Sequence, residues 1–306
     1  MKVDEIARII HDNRDVITSE DGIKTILNRS NNLNSLNYIN RIVIFSQCRD
    51  AFDVRTAEQW EMSGLNIKKG SKPLYIVKPI YKKSYIRSKT GDIIEDMDLN
   101  SLEIASAIDY GVIEIESLIN ELETIPVFDI KQVEFKGKYS DVINRQINTE
   151  KVIKLFESIT HCKVSKADET YYSKSKNLLY LSNLGYKGTV EIVSETLADY
   201  LMETNSKLLK DINEPILKNA LTFSIETLLL VNSNRSISNF SNLENFEIVN
   251  ILDAIDALIY NVNTQLYDIG VIQSVDYMYD IEGIKRSNIL LNIMESNSIH
   301  KRISCE

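Results

Sequence analysis

Histidine, cysteine, proline and tryptophan are all scarce in this chain of 306 residues: three His, three Cys, four Pro and one Trp. Three of these shortages close off a class of protein. Cys48, Cys162 and Cys305 are odd in number, far apart and form no CxxC pair. They read as reduced thiols in a reducing compartment, not as a disulfide framework. His11, His161 and His300 are too dispersed to make a histidine-rich metal site. Ten glycines and four prolines exclude a collagen-like or low-complexity chain. Long apolar runs are missing too, so no segment suits a helical membrane span. The opening MKVDEIARII carries acids and lacks a signal peptide's apolar core, so a cytoplasmic location is expected. What the chain does have is apolar mass. At 43% hydrophobic residues it is too apolar for intrinsic disorder. A chain of this length buries about 75% of its unfolded surface without staples and has room for two domains.

Charge is plentiful and unevenly placed. Lys and Arg number 35 against 44 Asp and Glu, a net charge of −9, which by itself argues against a nucleic-acid partner. From 68 to 89, however, eight bases stand without an acid: Lys68, Lys69, Lys72, Lys78, Lys82, Lys83, Arg87 and Lys89. Tyr75, Tyr81 and Tyr85 are interleaved with them. From 91 to 134 twelve acids accompany one base, Lys131. The basic block reads in two ways: a solvated strand pair, or a phosphate-tracking surface whose tyrosines stack on bases. The acidic block reads as a solvated insertion, a partner-binding face or a mimic of DNA.

Hydrophobic periodicity predicts helices over 3–12, 18–27, 38–47 and 56–63, the second weakened by Gly22. Strands are expected over 65–67, 74–80 and 84–88, the first two joined by the turn KKGSKP. Residues 99–122 read as a helical or mixed acidic segment, and 126–135 as a return strand. Beyond a polar stretch at 136–148 come a helix over 149–159 and two short strands at 171–172 and 178–181. Helices over 187–204, 207–231, 243–266 and 284–296 complete the chain. The expected class is α+β, with a first domain over 1–140 and a mostly helical second over 141–306.

Two segments of the first half carry a resemblance. Ile44-Phe45-Ser46-Gln47 ends a helix, followed by Thr56-Ala57-Glu58-Gln59-Trp60, Gly64 and then Asn66-Ile67-Lys68-Lys69-Gly70-Ser71-Lys72. Pro126-Val127-Phe128-Asp129-Ile130-Lys131-Gln132 returns later. In order and spacing these are similar to the N-terminal domain of ArdC-type antirestriction and LtrC-like proteins of mobile elements. The resemblance implies binding of single-stranded DNA, with Lys68, Lys69, Lys72, Lys78, Lys82, Lys83, Tyr75, Tyr81, Trp60 and Gln47 as candidate contacts. Lysines on a glycine-bearing turn suit phosphates. Trp60 is either a core anchor or a stacking platform, and Gln47 either a structural amide or a contact.

In the same family the second domain resembles a zinc metallopeptidase with an HExxH helix and a later Glu ligand. The stretches 168–173 and 177–181 resemble its strand pair. The matching helix reads Ser194-Glu195-Thr196-Leu197-Ala198, so both histidine positions are lost as Ser194 and Ala198. Glu195 stands at the general-base position and Glu226 at the third-ligand position. A catalytic zinc needs about three protein ligands, which Ser and Ala cannot supply. No P-loop, Rossmann fingerprint or GxSxG elbow is present. The expectation is a degenerate peptidase-like domain without metal or cofactor. The leading expectation is a non-enzymatic, single-stranded-DNA-binding accessory protein of a plasmid or phage. The alternative is an inhibitor or adaptor that engages a host protein through its acidic 91–134 segment.

Overall fold

Short amphipathic segments separated by polar breaks make four helices from the first 47 residues of the computed structural model: α1 (Val3–Asp12), α2 (Arg14–Thr18), α3 (Glu20–Leu27) and α4 (Tyr38–Gln47). The structure describes residues 2–30, 33, 36–87, 93–94, 113–134, 147–206, 209, 212–229, 232–237 and 240–271. The helix expected over 18–27 starts two residues later. Ser19 is extended and its Oγ accepts the Gly22 N–H at 3.1 Å, so it ends α2 and caps α3. Gly22 is required there, not a weakness. A β-carbon on it would strike the carbonyl oxygens of Val16 and Ile17.

Parts of the two blocks of opposite charge are the two strands of one antiparallel pair. β2 runs from Leu74 to Arg87 and β4 from Ile113 to Asp129, in register from Leu74↔Val127 to Arg87↔Ile113, with a bulge at Ile80/Tyr81. The separate strands expected over 74–80 and 84–88 are therefore one. The end of the segment read as helical or mixed is extended, from 113 onward. Alternation of Ile113, Ile115 and Ile119 with Glu114 and Glu116 suits a strand better than a helix. The strand expected over 65–67 is only a single bridge, Ile67↔Val133. β1 (Val54–Arg55) and β3 (Ile93–Ile94) complete the sheet in the order β1-β4-β2-β3. Between β1 and β2 lies α5 (Ala57–Met62), opened by the capping box Thr56/Gln59.

The second half is helical around a small sheet, giving α+β overall. α6 (Thr149–Thr160) leads into β5 (Lys163–Lys166), β6 (Tyr171–Ser173) and β7 (Leu178–Leu181), in the order β5-β7-β6. The sequence pattern does not predict β5, whose four residues Lys163–Lys166 are mostly polar. α7 (Gly185–Thr204), α8 (Glu214–Leu228) and α9 (Asn245–Asp268) follow. The helix expected over 284–296, residues 95–112 of the acidic block and most of the 136–148 stretch lie outside the described residues.

The largest apolar core takes side chains from both sides of residue 140. Ile10, Ile23, Ile39 and Val43 join Leu155, Leu197, Leu221 and Ile255 in one cluster. A buried ion pair crosses the same interface. Arg29 Nη2 donates to Asp256 Oδ1 at 2.6 Å, and the Tyr38 N–H donates to Oδ2 at 2.7 Å. Smaller clusters around Ile76 and Val127, and around Trp60 and Val133, support the first sheet. Among the described residues no helix is long and apolar enough to cross a membrane.

Candidate nucleic-acid interface

The basic turn before β2 is built by the later Asp129-to-Gln132 segment. Lys68 to Ser71 close a tight turn through Ser71 N–H to Lys68 O at 3.1 Å, and Gly70 adopts φ +85° at its third position. Gln132 holds the turn at both ends. Its carbonyl accepts the Lys68 N–H at 2.8 Å, and its Nε2 donates to Lys72 O at 2.6 Å. Gln132 is itself set by Asp129, whose N–H donates to Gln132 Oε1 at 2.9 Å. Asp129 also accepts from the backbone of Phe52 and Asp53, tying β1 to the same corner.

Lys68, Lys69 and Lys72 are exposed on this turn. None has an ion-pair partner among the described residues, although Lys68 Nζ reaches Lys131 O at 2.7 Å. Lys131 is engaged by Asp50, and that contact holds the Asp50 carboxyl below its ordinary range. Among the described residues, then, the turn offers cations without a paired acid on a backbone fixed by hydrogen bonds.

Gln47 and Trp60 do not belong to that surface. Gln47 Oε1 accepts the Tyr75 N–H at 2.9 Å, while its Nε2 donates to Tyr75 O at 2.7 Å and Val43 O at 2.9 Å. Asn40, two turns earlier on α4, does the same to Val77: N–H to Oδ1 at 2.8 Å, and Nδ2 to O at 2.9 Å. Two amide side chains thus occupy the backbone groups that β2 would otherwise leave open along its edge. Trp60 is 1% exposed and its Nε1 donates to Phe128 O at 2.8 Å. The Arg55 guanidinium covers its ring at 4.5 Å, so no face is open to a base. Both residues anchor the fold. Tyr75 is half-buried against the main core, which removes it as a free platform.

Lys78, Lys82, Lys83 and Arg87 lie on β2, and Lys89 lies outside the described residues. Lys78 pairs with Glu123 across the sheet at 3.3 Å. The backbone register sets Lys82 opposite Leu118 and Lys83 opposite Ser117. The side chains of Tyr81, Lys82 and Lys83 lie outside the described residues.

The positions that resemble a zinc helix are closed by protein contacts. Ser194 and Ala198 are fully buried, one turn apart on α7. On α8, Glu226 is 2% exposed and is bonded by Ser233 Oγ and by Arg235, whose Nη2 lies 3.1 Å and Nε 3.4 Å from Oε1. The same Nη2 stands 3.9 Å from Glu195 Oε2, and Lys218 stands 3.8 Å from Oε1. An arginine thus takes the place between two carboxylates where the resemblance implies a metal. The donor set does not fit zinc: a hydroxyl and a methyl replace imidazoles, and the remaining carboxylate is neutralised. Nothing at Arg235 announces this role in the sequence, because the contact is made by a loop side chain across a helix packing.

No protein-family model and no curated protein matches the chain. Solved structures of the antirestriction ArdC protein from plasmid R388 are similar at a low level. The metal-free form aligns over 85% of this chain and 84% of that one, at 13% identity and a TM-score of 0.35. The Mn(II)-bound form aligns over 96% and 98%, at 10% identity and the same TM-score of 0.35. At these values neither structure assigns a role to any residue here.

Proposed function

We propose that the chain is a single-stranded-DNA-binding accessory protein without peptidase activity. The observation that carries this reading is the 68–72 turn: three exposed lysines, lacking ion-pair partners among the described residues, on a backbone clamped by Gln132. Such a turn suits a strand's phosphates and carries no sequence code. The burial of Ser194 and Ala198 and the engagement of Glu226 by Arg235 support the absence of peptidase chemistry. The biological setting we propose, antirestriction, replication or transfer of a mobile element, rests on the resemblance of the 44–72 and 126–132 segments.

The adaptor reading has less support. Part of the acidic block is the β4 strand, paired along its length with the basic strand β2, so its charges are partly offset within the sheet. The test is fluorescence anisotropy of a labelled oligo(dT) across a salt series. Binding should fall with log salt at a slope of about −0.7 per phosphate neutralised. The triple variant Lys68→Glu/Lys69→Glu/Lys72→Glu should lose binding at low salt. Full affinity in that variant would refute the assignment of the turn. Co-purification of a host protein with no oligonucleotide binding at low salt would favour the adaptor instead.

A further inference from the structure

With Trp60 buried and Tyr75 half-buried against the core, the described residues around the 68–72 turn offer cations but no open aromatic ring. An open aromatic surface exists elsewhere. On the sheet β5-β7-β6, Leu179 and Leu181 of β7 are buried, while Leu178 and Tyr180 are only half-buried and belong to the outer face. The register aligns Ser165, Tyr180 and Tyr171 in one outer row, and Lys163, Leu178 and Ser173 in the next. Tyr171 and Tyr180 stack with centroids 4.5 Å apart and planes inclined by 21°. Tyr171 stands on the edge strand and is 49% exposed, so a large part of its ring meets solvent.

The surroundings are cationic and hydroxylic. Lys176 Nζ lies 6.0 Å from the Tyr180 ring centroid. Lys163 and Lys166 on β5, the opposite edge of the sheet, are exposed, Lys163 in an outer-face row. None of these three lysines has an ion-pair partner among the described residues, whereas Lys174 is taken by Glu203 at 2.6 Å. From 163 to 187 the chain carries five lysines against two acids, Asp168 and Glu169.

We infer that this sheet face is a second contact for single-stranded nucleic acid, in which a base stacks on Tyr171 and flanking phosphates meet Lys163 and Lys176. The inference rests on the nucleic-acid reading above and adds the stacking element that the basic turn lacks. A prestacked tyrosine pair is already ordered, so little side-chain entropy is lost when a base lands on it. Every base has a π-face, so such a platform is tolerant of sequence. An apolar peptide is a poorer match, because Leu178 is the only aliphatic side chain in the two rows. The charge complements phosphate.

The test uses the full chain and labelled oligo(dT). Tyr171→Ser should weaken binding by about 5- to 150-fold, the range for loss of one base–aromatic stack, with an unchanged salt slope because no charge is removed. Tyr171→Phe, which keeps the ring, should retain affinity. Lys163→Gln/Lys176→Gln should reduce the slope by about 1.4. Photocross-linking of the unaltered chain to a bromouracil oligonucleotide should map to Tyr171 or Tyr180, which covers a variant that fails to fold. Equal binding by Tyr171→Ser and wild type, with cross-links elsewhere, would overturn the inference and leave the basic turn standing. Loss in Tyr171→Ser with full binding in the 68/69/72 variant would support the sheet face and remove the turn. No binding by wild type at low salt would remove both. Tyr171-dependent capture of an acidic peptide, with oligonucleotide binding unaltered, would make the face a protein site and refute the inference.

Discussion

Replacing Asp256 by Asn removes one charge and almost no volume at the interface between the first four helices and α9. Asp256 is 0% exposed and Arg29 1%. The carboxylate accepts from Arg29 Nη2 at 2.6 Å and from the Tyr38 N–H at 2.7 Å. The amide can still meet Tyr38, but it cannot balance a guanidinium withdrawn from water. Removing one partner of a buried pair costs about 3–5 kcal/mol, a large share of a total stability of about 5–15 kcal/mol. With a urea m-value of about 3 kcal/mol/M, the midpoint should fall by roughly 1 M or more. Trp60 fluorescence reports the first sheet and far-UV circular dichroism is weighted toward the helices. If the shared core makes one cooperative unit, both transitions should shift together. Arg29→Met/Asp256→Leu should recover much of the loss, because a packed apolar pair has no charges to desolvate. A midpoint change under about 0.3 M, roughly 1 kcal/mol at that m-value, would show that the pair is solvated and the reasoning wrong.

Other expectations follow from single contacts. Gln47→Ala should cost about 1–3 kcal/mol by leaving Tyr75 N–H and O unmet at the edge of β2, with oligonucleotide affinity of the folded variant unchanged; a selective loss of affinity would return Gln47 to the interface. Arg235→Ala should destabilise by about 3–5 kcal/mol, because Glu226 is 2% exposed and relies on that guanidinium; thermal unfolding checks it, and a silent variant would mean that the loop is not docked. The Tyr172 phenol is pushed up from 10 to about 12, first by its hydrogen bond to Cys162 and then by burial. Its phenolate absorbance should therefore appear late in an alkaline titration. The unfolded chain ionises this group near 10, so its contribution is complete below pH 10 and is lost as pH rises toward 12. Cys162→Ala should move that titration back toward 10, and an unmoved curve would contradict the assignment.

The helices were largely legible because their signals are local. Asn37 and Thr56 accept the backbone N–H three residues on, where sequence puts caps. The β2–β4 pair was less legible. Its partners are joined through a long acidic segment, and residues 99–122 mix charge with apolar positions that fit more than one period. Of the candidate contacts, the three lysines of the turn are at the surface, where a Gly-bearing turn leading into a strand belongs. Gln47 and Trp60 carry polar atoms that suit either bonding within the fold or bonding outside it. Sequence does not separate those outcomes, because the choice depends on which backbone groups come within 3 Å.

Composition and pattern alone determined an α+β chain with separated charge blocks, a basic glycine turn and no histidine set for zinc. Those properties are sums or short-range spacings, readable from neighbours along the chain. Only the tertiary structure decided that part of each charge block pairs with the other as strands of one sheet. It also decided that Gln132 clamps the lysine turn, that Arg235 neutralises Glu226, and that Tyr171 and Tyr180 stack on an outer face. Each joins residues or segments whose partner is chosen by packing and register rather than by local sequence. Burial likewise turned Trp60 inward, because hydrophobic area is assigned to core or surface by the whole fold.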